Sequence, residues 1–269
     1  MSANPANQEL VRVQRHGKVA VVTLCDPPAN TYSHAMMRQL DAAILDARMD
    51  AGVEVIVLTG AGERFFCAGA NIAMLETADP TWKYWFCLHA NETLLRLEHT
   101  PKLVVAALNG HTVGGGLEVA LACDLRIARA GAGKIGLPEI KLGVLPGTGG
   151  TQRLLRLVGK SKAIELMATA RNLDVNEAKA LGLVNEAIDC PAGEFLARVV
   201  ERCAEFTTPR AAALAIGHMK RAVQSGAEMA LEQGLALERE LQAKLFASDD
   251  AREGLAAFTA KRDARFEGR

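Results

Sequence analysis

The chain has no net charge: its 31 Lys and Arg residues match its 31 Asp and Glu residues. A neutral protein lacks the broad basic field on which nucleic-acid binding rests, and no basic stretch interleaved with aromatics replaces it. Neutrality also does little to hold copies apart, so self-association is permitted. No stretch approaches the ~18 consecutive apolar residues of a membrane span. Met1 to Leu10 shows neither the basic-then-apolar order of a secretory signal nor the Arg- and Ser-rich composition of a transit peptide. A cytoplasmic protein is the expectation. None of the six cysteines forms a Cys-x-x-Cys pair, which argues against a zinc knuckle or a redox dithiol. Cys25, Cys67, Cys87, Cys123, Cys190 and Cys203 read instead as small buried hydrophobes in a reducing compartment. The six histidines show no His-Glu-x-x-His spacing. With neither a Gly-x-Gly-x-x-Gly nor a Walker lysine loop, metal hydrolysis, dinucleotide and ATP chemistry are all unsupported.

What is present is a chain of 269 residues, 49% apolar and 23% charged, enough to bury a sizeable core. Val19 to Leu24, Val53 to Leu58 and Leu103 to Leu108 are Val-, Ile- and Leu-rich runs ending in turn residues, and they read as buried strands. Met37, Leu40 and Ile44 recur at helical spacing and predict a helix from about Ser33 to Met49. A second helical stretch runs from about Pro80 to Glu98. Strands alternating with helices imply an α/β architecture. From about Pro191 the strand signals fade. In the segment Gly226 to Phe246, residues Leu231, Leu235, Leu237, Leu241, Leu245 and Phe246 share roughly one half of a helix, a face that needs covering by the core or by another subunit. The expected division is an α/β core over 1–195 followed by a helical region over 196–269.

Chemistry concentrates at two glycine-rich turns. The first is Phe66-Cys67-Ala68-Gly69-Ala70-Asn71-Ile72; the second, Asn109-Gly110-His111-Thr112-Val113-Gly114-Gly115-Gly116-Leu117-Glu118. Small residues let a ligand approach backbone N–H groups directly. Two such groups converging on one oxygen make an oxyanion hole, and nearby acids supply proton chemistry. Glu118 is the only acid in Leu117-Glu118-Val119-Ala120-Leu121-Ala122, where apolar surroundings push a carboxyl's pKa up. The plain alternative is an acid that complements a helix dipole and faces water. Glu139, in Gly136-Leu137-Pro138-Glu139, taken alone reads as a solvated loop acid. Gly147-Thr148-Gly149-Gly150-Thr151-Gln152-Arg153 reads as a loop opening a helix, with Thr151 as its expected cap. A nucleophile–base pairing of Cys67 with His111 lacks an orienting third member.

Those two turns, together with Pro138-Glu139-(x)3-Gly143, Pro146-Gly147-(x)-Gly-Gly-Thr-Gln-Arg153 and the ending from Asp249 to Arg262, resemble the enoyl-CoA hydratase (crotonase) family from about residue 11 to 269. The resemblance implies a crotonase fold, a ββα superhelical α/β core with C-terminal helices that pack homotrimers, often as dimers of trimers. It implies an acyl-CoA substrate and no metal or separate cofactor, because the CoA thioester is itself the substrate. Residue by residue, it makes Glu118 and Glu139 the catalytic acids and the N–H groups of Ala70 and Gly115 the oxyanion hole. It places Pro28, Ala29, Ala68, Asn71, Ile72 and Gly147 along the substrate groove, and Phe258 and Lys261 at the CoA of an adjacent subunit. Asn71 stands where the family usually has Asp, and Asn caps a helix about as well.

The activity so implied is reversible hydration of a 2-enoyl-CoA. The runner-up is an isomerase or special dehydratase using the same oxyanion hole, and a non-catalytic RNA-binding module is disfavoured by the absent basic field. Thr31 to His34 and the aromatic cluster Trp82, Tyr84, Trp85 and Phe86 depart from the family's usual pattern. The aromatics are expected either to wall the acyl pocket or to face the core.

Overall fold

The structure is a computed structural model, and it describes residues 8–269. Its centre is a six-stranded sheet in the order β1 (Val11–His16), β2 (Val19–Leu24), β3 (Val55–Gly60), β5 (Leu103–Leu108), β7 (Leu125–Arg129) and β9 (Glu186–Ile188). β1 and β2 form an antiparallel hairpin, and the pairs from β2 onward are parallel. Along β2, β3 and β5 the apolar residues divide between two faces. Val22, Ile56, Leu58, Val104 and Ala106 join a large core, whereas Val21, Val55, Val57 and Val105 join a second one. Burial on both sides explains why these strands are apolar throughout rather than alternating.

α1 (His34–Met49) starts where Ser33 accepts the Met36 N–H at 3.2 Å, and it buries Met36, Met37, Leu40 and Ile44 against the larger core. α3 (Pro80–Glu98) is capped by Asp79 and has proline in its first turn, where no helical N–H is lost. Two boundaries differ from the sequence reading. The strand expected from Val53 begins at Val55, because Val53 N–H turns back to Asp50 O and the Glu54 and Val55 N–H groups share one acceptor, Lys18 O. The stretch from Gly226 is not one helix: α9 (Ala213–Gly226) ends there and α10 (Leu231–Phe246) restarts after a tight turn, with Met229 N–H bonded to Gly226 O.

A second, three-stranded parallel sheet of β4 (Phe65–Cys67), β6 (His111–Val113) and β8 (Ile135–Gly136) sets the site. Each of its strands directly follows one strand of the large sheet: β3 then β4, β5 then β6, β7 then β8. A helix or helical turn follows each pair: α2 (Ile72–Glu76), α4 (Gly115–Leu121) and the 3-10 turn Glu139–Leu142. This repeating ββα unit is the crotonase fold. Because the small sheet is parallel, its three carboxyl ends lie on one side, and they carry the first turn, the second turn and Pro138-Glu139 respectively.

After α5 (Gly150–Val158), α6 (Lys160–Ala168) and α7 (Val175–Ala180) comes α8 (Ala192–Ala204), whose Phe195, Val199 and Cys203 close the second core. The division drawn at 195/196 thus falls inside a helix that packs on the sheet. α9, α10 and α11 (Asp249–Ala260) complete the chain, and α11 is tied down where Asp250 accepts the N–H groups of Glu267 and Gly268 at 2.7 and 3.0 Å. Leu241 of α10 is buried, but Leu231, Leu235 and Phe246 of the same face are exposed. No described helix is long and apolar enough to cross a membrane.

Candidate active site

The carboxyl ends of β4, β6 and β8 open into a cavity of about 500 Å³ lined by Ala68, Ala70, Ile72, Gly115, Glu118, Glu139 and Gly147 among others. In open parallel sheets this is where ligands bind. At the first turn, Tyr32 donates its N–H to Gly69 O and accepts from Asn71 N–H, so the Ala70 N–H between them is turned away from Tyr32. At the second, Gly114 takes a left-handed φ of 58° and launches α4, leaving Gly115 N–H at the helix start without an intrahelical acceptor. Both donors belong to residues that line the cavity. The two turns touch: a β-carbon on Gly69 would lie 3.1 Å from Gly115 N.

Glu118 is 2% exposed and fully held. Its Oε1 accepts Thr148 N–H at 2.8 Å and Gly150 N–H at 2.7 Å, and its Oε2 accepts the Thr148 hydroxyl. α5 has Gly149 as its N-cap, in place of the Thr151 cap expected from sequence, with no side-chain cap bond. The Glu118 carboxylate does that work from another helix, taking the orphan Gly150 N–H, and a carboxylate is favoured at that positive helix end. The loop is braced from behind by Arg153, which donates to Thr148 O at 3.1 Å and grips Glu98 through two bonds of 2.8 and 2.7 Å.

Glu139 has the opposite surroundings. It is half-buried and its Oε2 has no hydrogen-bond partner. Burial pushes its pKa up to about 7, and the charge of Glu118 adds to the rise. The solvated-loop reading of this residue therefore gives way to a cavity carboxyl poised near neutrality. One carboxylate held by three donors beside one whose Oε2 has none is the pattern that separates a base from an acid.

The remaining candidates divide. Ala29 accepts the Ala68 N–H at 3.0 Å and so supports the first turn, but neither Ala29 nor exposed Pro28 lines the cavity. Asn71 caps α2 by accepting Met74 N–H at 3.0 Å. Phe258 and Lys261, on α11 and its C-cap, are exposed and lie outside the cavity of their own chain. None of the four aromatics on α3 lines it either: Trp82 and Phe86 stack at 5.3 Å, and Tyr84 and Trp85 are 62% and 58% exposed. The residue of that cluster that does line it is Lys83. Cys67 is no nucleophile, because burial pushes its thiol up to about 12 and His111 Nδ1 is occupied by Lys134 N–H. All six cysteines are free, four of them buried, and no described group of His, Cys, Asp or Glu could hold a metal.

Sequence reasoning missed Thr148 and Tyr32, which both line the cavity. The available signal was a hydroxyl residue placed between two glycines just ahead of a helix start. Tyr32 announced itself only as a departure from pattern.

Residues 14–269 match the family model described as Enoyl-CoA hydratase/isomerase. The chain is similar to the short-chain-enoyl-CoA hydratase of Clostridium acetobutylicum, 37% identical over 253 residues that cover 94% of this chain and 95% of the relative. It is 42% identical over 267 residues to a probable enoyl-CoA hydratase of Rhizobium meliloti, covering 97% and 99%. Among solved structures, the enoyl-CoA hydratase of Geobacillus kaustophilus HTA426 superposes with a TM-score of 0.93 at 42% identity, covering 98% of each chain.

Proposed function

The chain belongs to the enoyl-CoA hydratase/isomerase family, and from that premise we propose that it hydrates a 2-enoyl-CoA reversibly to the 3-hydroxyacyl-CoA. The observation that carries this reading is the meeting of two unlike carboxyls, Glu118 and Glu139, with two open backbone donors on one cavity. The thioester oxygen sits between the N–H groups of Ala70 and Gly115, which stabilise the negative charge that grows there as water adds. Glu118, held by three protein donors with one acceptor site left open, is the base that draws a proton from water. The water oxygen attacks Cβ, and Glu139, poised near neutrality, delivers a proton to Cα. Each turnover returns one proton to the pair, so their roles are coupled. No metal or separate cofactor enters this scheme.

The CoA moiety lies along Ala68, Ile72 and Gly147, with Phe258 and Lys261 reaching it from a neighbouring subunit. The assembly is a homotrimer or dimer of trimers, as the family resemblance implies, and the exposed apolar side chains Leu231, Phe246, Leu255 and Phe258 of α10 and α11 are available to its contacts. A cytoplasmic role in fatty-acid or related acyl-CoA breakdown fits this chemistry. An isomerase would use the same oxyanion hole; a cavity lined by both glutamates favours the hydratase.

Incubation with crotonyl-CoA tests the proposal through loss of the conjugated absorbance. Glu118→Gln and Glu139→Gln should each keep the fold and lose about 10²–10⁴-fold in rate. A wild-type protein that leaves the absorbance unchanged, or a variant that keeps near-wild-type turnover, refutes the reading or removes that residue from it.

A further inference from the structure

We propose that Tyr32 and Thr148 form a directional hydrogen-bond relay that keeps Glu118 ionised and fixed in orientation, a deepening that rests on the hydratase reading above. Both are positioning residues; neither exchanges a proton with substrate.

A carboxylate offers about four acceptor sites. At Glu118 three are filled from the protein: Oε1 by the N–H groups of Thr148 and Gly150, Oε2 by the Thr148 hydroxyl. The fourth site, on Oε2, is left for one water molecule. The two donors on Oε1 are backbone N–H groups and cannot reverse, so a proton arriving at Glu118 can settle only on Oε2. It would arrive through that open site, on the same oxygen that accepts the Thr148 hydroxyl, and turn that charge-assisted bond into a weaker neutral one.

The Thr148 hydroxyl has one proton, spent on Glu118. At its 3.2 Å contact with the Tyr32 hydroxyl it must therefore accept, which makes Tyr32 the donor. Burial and the charge of Glu118 raise the Tyr32 phenol well above its ordinary range, so it stays a donor. By donating to the Thr148 oxygen, Tyr32 keeps the Thr148 proton on Glu118 and strengthens that bond. Two hydroxyls 116 residues apart in sequence thus favour the same state, the ionised Glu118 from which hydration starts. The shared proton is directed to Glu139, whose Oε2 nothing holds.

The experiment uses the full chain with Thr148→Val, Thr148→Ser and Tyr32→Phe. With crotonyl-CoA, Thr148→Val should lower kcat about tenfold or more at little change in KM, as expected for loss of a hydrogen bond to a charged group. Its rate should also fade at a pH higher by about one unit on the acid limb. Thr148→Ser should restore both, and Tyr32→Phe should shift the acid limb the same way by less. A readout independent of activity is the pH titration of the Gly150 amide in glycine-labelled protein, since that N–H donates to Glu118. Its midpoint should rise in Thr148→Val. If wild type hydrates crotonyl-CoA but neither the profile nor the amide midpoint moves in Thr148→Val, the relay is overturned and the hydratase reading stands. If wild type is inactive while the midpoint moves, the relay stands and the hydratase reading falls. Equal impairment of the Val and Ser variants would show packing alone and overturn the relay.

Discussion

The Tyr32 hydroxyl lies so close over Gly115 that a β-carbon there would stand 2.2 Å from it, with two ring carbons at 2.5 and 2.7 Å. Glycine is thus the only residue that fits beneath the tyrosine while keeping its N–H at the cavity. Gly115→Ala should displace that donor and cost about 10²–10³ in kcat, the usual loss for one oxyanion-hole group. Adding Tyr32→Phe should give no relief, because the ring carbons remain. Gly115→Pro, which deletes the N–H outright, should be at least as damaging. Near-wild-type turnover of Gly115→Ala would mean that the thioester oxygen binds elsewhere.

The two glutamates also set a pH dependence. With burial holding Glu139 up to about 7, the active form carries one proton on the pair. Above about pH 7 that proton is lost from free enzyme, so kcat/KM for hydration should fall there, approaching tenfold per unit. Dehydration of the 3-hydroxyacyl-CoA should show the same descending limb. The two productive forms differ only in which glutamate holds the proton, and the overall equilibrium takes up no protons. A flat kcat/KM between pH 6 and 9 would remove Glu139 from the mechanism.

Legibility in the sequence followed the range of the forces involved. α1 and α3 were readable because their caps, Ser33 and Asp79, and their apolar spacing are local. β5 was readable because a strand buried on both faces is apolar at every position. β4, β6, β8 and β9 are two or three residues long and left no periodicity to find. The site was half legible. Glycines and acids at two turns announced oxyanion chemistry, but the environment that distinguishes the acids is non-local. Glu118 meets its donors from a loop 30 residues away, and Glu139 owes its raised pKa to burial that a loop sequence does not reveal. Thr151 looked like a cap because hydroxyl residues commonly are. A carboxylate from α4 had already taken that role.

Removing the Glu139 charge should stabilise the fold in a pH-dependent way. Its proton is held up to about 7 in the folded chain but only to the ordinary carboxylate range in the unfolded one. Between those values the folded chain binds more protons, so its stability falls as pH rises, and the cost persists above about pH 7. Gln at this position cannot ionise. The Tm of Glu139→Gln should therefore exceed that of wild type by a margin small near pH 5 and largest near pH 8. Scanning calorimetry across that range checks the sign, and a margin that is constant or shrinks with pH would contradict it.

Acyl selectivity supplies the last test. Tyr84 and Trp85 pack on each other at 4.9 Å on the exposed side of α3, and neither borders the cavity. Tyr84→Ala and Trp85→Ala should leave the order of kcat/KM across enoyl-CoA esters of different chain length unchanged. Trp82→Ala should act through stability, since Trp82 stacks on buried Phe86, which in turn lies 6.0 Å from Tyr32. The apolar side chains that do line the cavity include Leu75, Ala78, Leu142 and Leu145. One methylene of mismatch against such a wall is worth about 1–3 kcal/mol, so the wild-type preference should be graded over chain length rather than absolute. Ala78→Leu, which adds bulk to that wall, should steepen it against longer chains. A steeper or reversed preference in Tyr84→Ala or Trp85→Ala, with Ala78→Leu behaving as wild type, would place the acyl group on the aromatic face of α3 after all.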